Sequence, residues 1–364
     1  MRAAGDLLAD GDEDHDDLAL GFVPDHYLTE YHHPASVVRA AQVADLERFR
    51  GMGPRDVLAR ALLLGGFSFP AVDLQSPGAL PPLVALGSPA TLGREVQERL
   101  VDHLRAGGRL LLHGLVPDRD HDGAPCTVLA DALGVRPGPR VDATPHHFPS
   151  VAGQGWAAKT AEVRVGHLHP LELADGEPLL TEVGTGRPVA ATVDVGAGRA
   201  LVLACDYPCH LPFWRTALET LGVRPRLRHD GAPGVVVTST VDRTGQRLLH
   251  LLNVAPTPTT LALSYRDRPV LAGRRLRLGA RAGLMLPFGI RVGDRATLVE
   301  TTAELVARTD GAVVLRPTQE NTDVAVLETE LPVTADRGTV DRAGGRVTVT
   351  MPGRGADPVR VTVG

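Results

Sequence analysis

Residues 82–114 read as an uninterrupted strand, helix and strand, and no other feature constrains the N-terminal half of the chain as tightly. Pro82-Leu83-Val84-Ala85-Leu86-Gly87 is short and apolar, as suits a strand buried on both faces. Ser88, Pro89 and Thr91 then supply helix-start chemistry. Val96, Leu100, Val101 and Leu104 recur at helical spacing across residues 94–106, and Gly107 and Gly108 permit a left-handed stop. Leu110-Leu111-Leu112 opens a second apolar strand that ends at His113-Gly114. Two such strands joined by a helix predict a parallel crossover. In open sheets of this kind, ligands gather beyond the carboxyl ends of the strands, here Gly87-Ser88 and His113-Gly114. Neither place carries the sequence of a nucleophile elbow, a phosphate loop or a metal cluster.

A chain of 364 residues with 43% hydrophobic composition can bury two or three cores. A net charge of −5 gives no electrostatic footprint for nucleic acid or an anionic membrane. Residues 1–16 are acidic and lack the basic start and apolar middle of a signal peptide, so a cytoplasmic protein is expected. The long uncharged stretch 74–93 holds four prolines and reads as loop plus strand, not as a membrane span. Cys126, Cys205 and Cys209 are too few and too scattered for a disulfide framework. Cys205 and Cys209 with His210 have no second ligand pair at zinc spacing, and neither metal nor cofactor is expected.

Apolar runs place a first strand at residues 18–22, helices from Pro34 to Gly51 and from Pro54 to Leu64, a hairpin across 192–204 and a last helix at 212–221. The character changes near residues 224–234, where Pro225 and Pro233 mark a junction. Beyond it, short β-branched or alternating runs are separated by Asp-Arg-Thr-Gly, Ala-Gly and Gly-Gly turns, the signature of antiparallel sandwiches. The expected class is thus α/β plus all-β. An acidic leader occupies 1–16, a parallel-sheet domain 17–225, and one or two antiparallel β-sandwich domains 235–305 and 311–364.

The densest chemistry lies in Asp25-His26-Tyr27-Leu28-Thr29-Glu30-Tyr31-His32-His33, beyond the carboxyl end of the first strand. Two readings stand. Rings beside carboxylates suit a sugar site, with stacking on apolar sugar faces and acids accepting hydroxyl bonds. The same residues suit a half-buried subunit or domain interface. Asp25, Tyr27, Glu30, Tyr31 and His32, with His113 at the end of the second crossover strand, are the candidate substrate or interface residues. Asp118, Asp120, His121 and Asp122 form an acidic loop without regular ion-binding spacing, and Trp214 reads as a core anchor. Glycoside cleavage by opposed carboxylates, about 5–5.5 Å apart in retaining enzymes, is usually built on neighbouring barrel strands. The chain has too few α/β strands to close a barrel.

Three segments carry a resemblance: 17–31 (Asp-Leu-Ala-Leu-Gly-Phe-Val-Pro-Asp-His-Tyr-Leu-Thr-Glu-Tyr), 110–114 (Leu-Leu-Leu-His-Gly) and 319–327 (Gln-Glu-Asn-Thr-Asp-Val-Ala-Val-Leu). Together they resemble the C-terminal part of bacterial β-galactosidases of glycoside hydrolase family 35 and the related family 42. The resemblance implies a flavodoxin-like, class I amidotransferase-like domain without amidotransferase residues, followed by β-sandwiches. It also implies a glycosidase barrel, as a domain or subunit, for a partner, a β-galactoside or other glycan as ligand, and homo-oligomer contacts. No catalytic glutamate of those families maps onto this chain, so the catalytic set is empty. The expected function is a non-catalytic accessory and oligomerisation portion of a β-galactosidase-like glycosidase. The alternatives are a carbohydrate-binding or assembly module, and an independent hydrolase using Cys126 or Cys205.

Overall fold

A computed structural model describes residues 11–24, 54–232 and 234–364. Two units divide the chain: one comprises His15–Gly65 and Phe69–Arg224, the other Met1–Asp14, Gly66–Ser68 and Pro225–Gly364. The first is built on a nine-stranded sheet. Its order is Ala71–Asp73, Leu18–Phe22, Leu83–Ser88, Arg109–Gly114, Gly198–Leu203, Pro188–Val195, Glu177–Glu182, Ser150–Gly153 and Val163–Arg164.

The first five strands pair in parallel, as the apolar runs predict. The remaining four continue the sheet antiparallel, so the expected parallel sheet is one half of a mixed one. The crossover helix Arg94–Arg105 buries Val96, Leu100, Val101 and Leu104 on the sheet side. Gly198 lets the Pro188–Val195 and Gly198–Leu203 hairpin close against the end of this helix, because a Cβ there would collide with the Leu104 and Gly108 carbonyls.

Two polar groups fix the helix. Its N-cap, Gly93, has no side chain, and Asp120 Oδ1 accepts the Arg94 amide at 3.1 Å from the neighbouring loop. Gln97, fully buried on the apolar face, donates to the Leu92 and Cys126 carbonyls (2.6 and 3.3 Å) and accepts the Leu129 amide (3.1 Å). It thereby joins the helix to the start of the Val128–Leu133 helix.

The second unit is antiparallel β. An eight-stranded sheet runs Gly11–Glu13, Val235–Asp242, Arg247–Asn253, Ala282–Arg291, Thr297–Thr301, Thr322–Glu328, Arg346–Pro352 and Thr339–Ala343. A four-stranded sheet, Glu304–Thr309, Ala312–Arg316, Val359–Val363 and Val333–Ala335, packs on it. Leu298, Leu327 and Val349 of the large sheet share one core with Val313, Leu315 and Val361 of the small one, which makes a β-sandwich.

Two features of this unit differ from the expectation. Gly11–Glu13, within the acidic segment read as a leader, pairs with Thr240–Asp242 at the sheet edge. The large sheet draws strands from both 235–305 and 311–364, the merged arrangement that one or two sandwich domains left open. The ten-residue strand Ala282–Arg291 was not anticipated, and it contains Gly283, Pro287 and Gly289, residue types uncommon inside strands. Pro287 is tolerated because it pairs with Leu248 on one side, while on the other the ladder to Thr297–Thr301 starts at Phe288.

Candidate functional site

The carboxyl ends of Leu83–Ser88, Arg109–Gly114 and Gly198–Leu203 are in register, with His113 opposite Gly87 on one side and Leu203 on the other. His113 is fully buried, its ring edge-on to Trp214 with centroids 5.0 Å apart. Trp214 donates its indole N–H to the Pro208 carbonyl at 2.8 Å. Phe213 lies 5.7 Å from Trp214, 4.2 Å from Tyr207 and 5.3 Å from Trp156, so a run of aromatic rings closes this end of the sheet. Asp25, Tyr27, Glu30, Tyr31 and His32 lie outside the described residues, so of the candidate set the geometry concerns His113 alone.

The loop after Gly198–Leu203 carries a polar anchor that sequence reasoning missed. The Asp206 carboxylate accepts the backbone amides of Gly166 (2.9 and 3.1 Å) and His167 (3.0 Å), and lies 3.8 Å from His167 Nδ1. His169 donates through Nδ1 to the Gly138 carbonyl at 3.0 Å. Tyr207 Oη, His167 Nε2, His169 Nε2 and His210 Nδ1 are buried with no hydrogen-bond partner among the described residues. The one signal for this cluster was position, since Asp206 follows a strand whose carboxyl end lies on the ligand side of such sheets.

Among the described residues, this end of the sheet holds hydrogen-bonding and packing groups. The Ser88 hydroxyl donates to the Pro89 carbonyl at 3.0 Å. Cys205 is fully buried, and burial pushes its thiol far up, with Asp206 acting in the same direction. Cys126 is buried as well, and burial raises the half-exposed Cys209. Cysteine chemistry needs an accessible thiolate. All three thiols are therefore expected to react slowly with iodoacetamide at neutral pH in the folded protein, and rapid stoichiometric labelling of one would restore the hydrolase alternative. No group of three or more His, Cys, Asp or Glu side chains is placed to hold a metal ion among the described residues. In the acidic loop, Asp120 caps the crossover helix and also accepts the His121 amide at 2.8 Å, and Asp122 accepts the Ala124 amide at 2.9 Å.

Burial sets one pH dependence. It holds His167 below its ordinary value of 6.5, against the pull of Asp206, and does the same for His103 and His250. Below pH 6.5 the unfolded chain therefore binds more protons than the folded one, and stability falls as pH drops through that window. Thermal melts should give a lower midpoint at pH 5.5 than at 7.5. Carboxylates held low by hydrogen bonds, such as Asp230 beside Arg275, act only at more acidic pH. An equal or higher midpoint at pH 5.5 would contradict the burial of these imidazoles.

Comparison with known proteins places this geometry. Residues 41–163 match the family described as GLMA-like, second domain. An exo-β-D-glucosaminidase from Thermococcus kodakarensis is 30% identical over 231 residues, which is 59% of this chain and 28% of that protein. A β-galactosidase from Rahnella sp. R3 superposes with a TM-score of 0.60 at 17% identity, covering 76% of this chain and 41% of the other. A catalytic mutant of Gan42B, a GH42 β-galactosidase from G. stearothermophilus, gives 0.59 at 13% identity, with coverages of 74% and 40%. The chain is thus related to part of a glycoside hydrolase. It spans under a third of the glucosaminidase and about two-fifths of each β-galactosidase chain. Among the described residues no helix is long and apolar enough to cross a membrane.

Proposed function

We propose that this chain is the non-catalytic accessory and oligomerisation portion of a β-galactosidase-like or β-glucosaminidase-like glycosidase whose hydrolytic carboxylates lie on a separate barrel. The observation that carries the reading is the extent of the fold match: about three quarters of the chain superposes on about two-fifths of β-galactosidase chains. On this reading the first unit is the flavodoxin-like, amidotransferase-like domain, with helices on its parallel half. The buried protonated Cys205 and the hydroxyl of Ser88, bonded to its neighbour's carbonyl, agree with an amidotransferase relative that lacks amidotransferase chemistry. Of the two families named by the resemblance, the fold match favours family 42. The segment from Asp25 to His33 then faces a barrel or a second copy of the chain, or meets a glycan there, with His113 a further candidate contact. A protein confined to the cytoplasm remains part of the proposal.

The test uses the purified chain. It is expected to leave p-nitrophenyl β-D-galactoside and p-nitrophenyl β-D-glucosaminide unhydrolysed, and to elute as a homo-oligomer in light-scattering chromatography. Replacing Tyr27 and Glu30 together by alanine should weaken that assembly or the affinity for a glycan. Turnover by the chain alone would overturn the non-catalytic reading, and unchanged assembly and glycan affinity in the double variant would remove the role of the loop.

A further inference from the structure

The motif 319–327, singled out in the sequence, has a structural role that accounts for only half of it. Asp323 is fully buried and accepts the backbone amides of Thr318 (2.8 Å) and Gln319 (3.0 Å) and the Thr302 hydroxyl (2.6 Å). A carboxylate with this many donors freezes the turn from Thr318 to Thr322. Gly353 packs so closely under the turn that a Cβ would strike the Glu320 and Asn321 carbonyls. Nothing in the core requires the other half, the exposed polar side chains that the rigid turn presents.

Those side chains line an open cavity of about 260 Å³ on the sandwich unit, bounded on its other side by Thr260 and by Arg274, Arg275 and Arg277. Two of the arginines are engaged in half-exposed ion pairs. Arg275 forks onto Asp230 (2.6 and 3.2 Å) and reaches the Thr260 carbonyl at 3.3 Å, while Arg277 pairs with Glu320 and gives its backbone amide to Gln319 Oε1 at 2.7 Å. Arg274 has no carboxylate partner among the described residues. A guanidinium carries five N–H donors, and a single carboxylate engages at most two of them. Three such groups against two carboxylates leave the lining with one positive charge in excess. Arg274, without a carboxylate partner among the described residues, is left to offer a ligand carboxylate two parallel N–H donors, with Asn321 and Thr260 on the same lining.

We propose that this cavity is a binding site for an acidic monosaccharide unit, with the sugar carboxylate on Arg274 and hydroxyls on Asn321 and Thr260. The volume suits one sugar ring, being below the roughly 300–1,000 Å³ of sites that enclose larger ligands. The site goes beyond the accessory role proposed above and does not depend on it, since it is built entirely within the sandwich unit.

The test is calorimetric titration of the full chain with D-galacturonate, with D-galactose and acetate as comparisons. Saturable binding of galacturonate is expected, tighter than that of either comparison, with affinity reduced about tenfold or more in R274A and less in N321A, as fits loss of a charged and of a neutral hydrogen bond. Both positions are exposed, and circular dichroism should report unchanged folding. Absence of heat with galacturonate, equal binding of acetate or galactose, or full affinity in R274A would each overturn the site. None of these results bears on turnover or assembly, so the accessory reading stands or falls separately.

Discussion

Replacing Asp14 by alanine is expected to destabilise the sandwich unit by about 3–5 kcal/mol, the range for removing one partner of a buried ion pair. Asp14 Oδ1 accepts from Arg226 at 2.8 Å, and its other oxygen pairs with Arg247. The Asp14 and Arg247 side chains are only 12% and 11% exposed, so water cannot replace what is lost. Arg247 also donates to the Ser239 hydroxyl (2.8 Å) and the Tyr265 hydroxyl (3.1 Å), and its guanidinium lies 4.8 Å from the Tyr265 ring centroid. Removing the carboxylate strands a buried cation in the middle of this network and releases the strand Gly11–Glu13 from the sheet edge. Urea unfolding followed by circular dichroism measures the change, and a loss below about 1 kcal/mol, the value of an exposed pair, would show the network to be solvated.

Trp214→Ala should cost the first unit about 3–5 kcal/mol, the usual price of deleting a large buried aromatic side chain. Trp214 is completely buried, contacts His113, Tyr207 and Phe213, and anchors the Pro208 carbonyl. Trp214→Phe separates the two contributions. It keeps a ring in the cluster but leaves the carbonyl without its donor, and is expected to cost about 1–3 kcal/mol. Equal losses in the two variants would mean that the hydrogen bond, and not the ring packing, holds this end of the sheet.

These predictions bear on how much of the molecule is legible in its sequence. The crossover at residues 82–114 was legible because strands buried on both faces must be uniformly apolar, while the intervening helix must repeat its apolar residues every three to four positions. Observed strands at Leu83–Ser88 and Arg109–Gly114 and a helix at Arg94–Arg105 follow that pattern. Trp214 as a core anchor was legible on composition alone. The antiparallel extension Ser150–Gly153 and Glu177–Glu182 was not, since a glycine, a proline and two glutamates sit in those strands and their pairing is decided by neighbours. Asp14 lies in a run of acids that reads as solvated, and Gln97 interrupts an apolar stripe as if it faced water. Only the packing shows that each has buried partners waiting. Of the candidate site, the sequence placed His113 at the carboxyl end of its strand but passed over Asp206 and His167, which come together from positions 39 residues apart.

What the sequence by itself determined is the order of local elements, the change from α/β to antiparallel β near residue 225, and the resemblance to glycosidase parts. Each of these is written in periodicity, turn residues or contiguous motifs, all of which act over a few neighbours along the chain. Tertiary structure alone decided that the N-terminal strand joins the sandwich, that Asp323 freezes a turn, and that three arginines line one polar cavity. Those outcomes depend on hydrogen bonds and ion pairs between residues remote in sequence, whose strength is set by burial that only the folded chain creates.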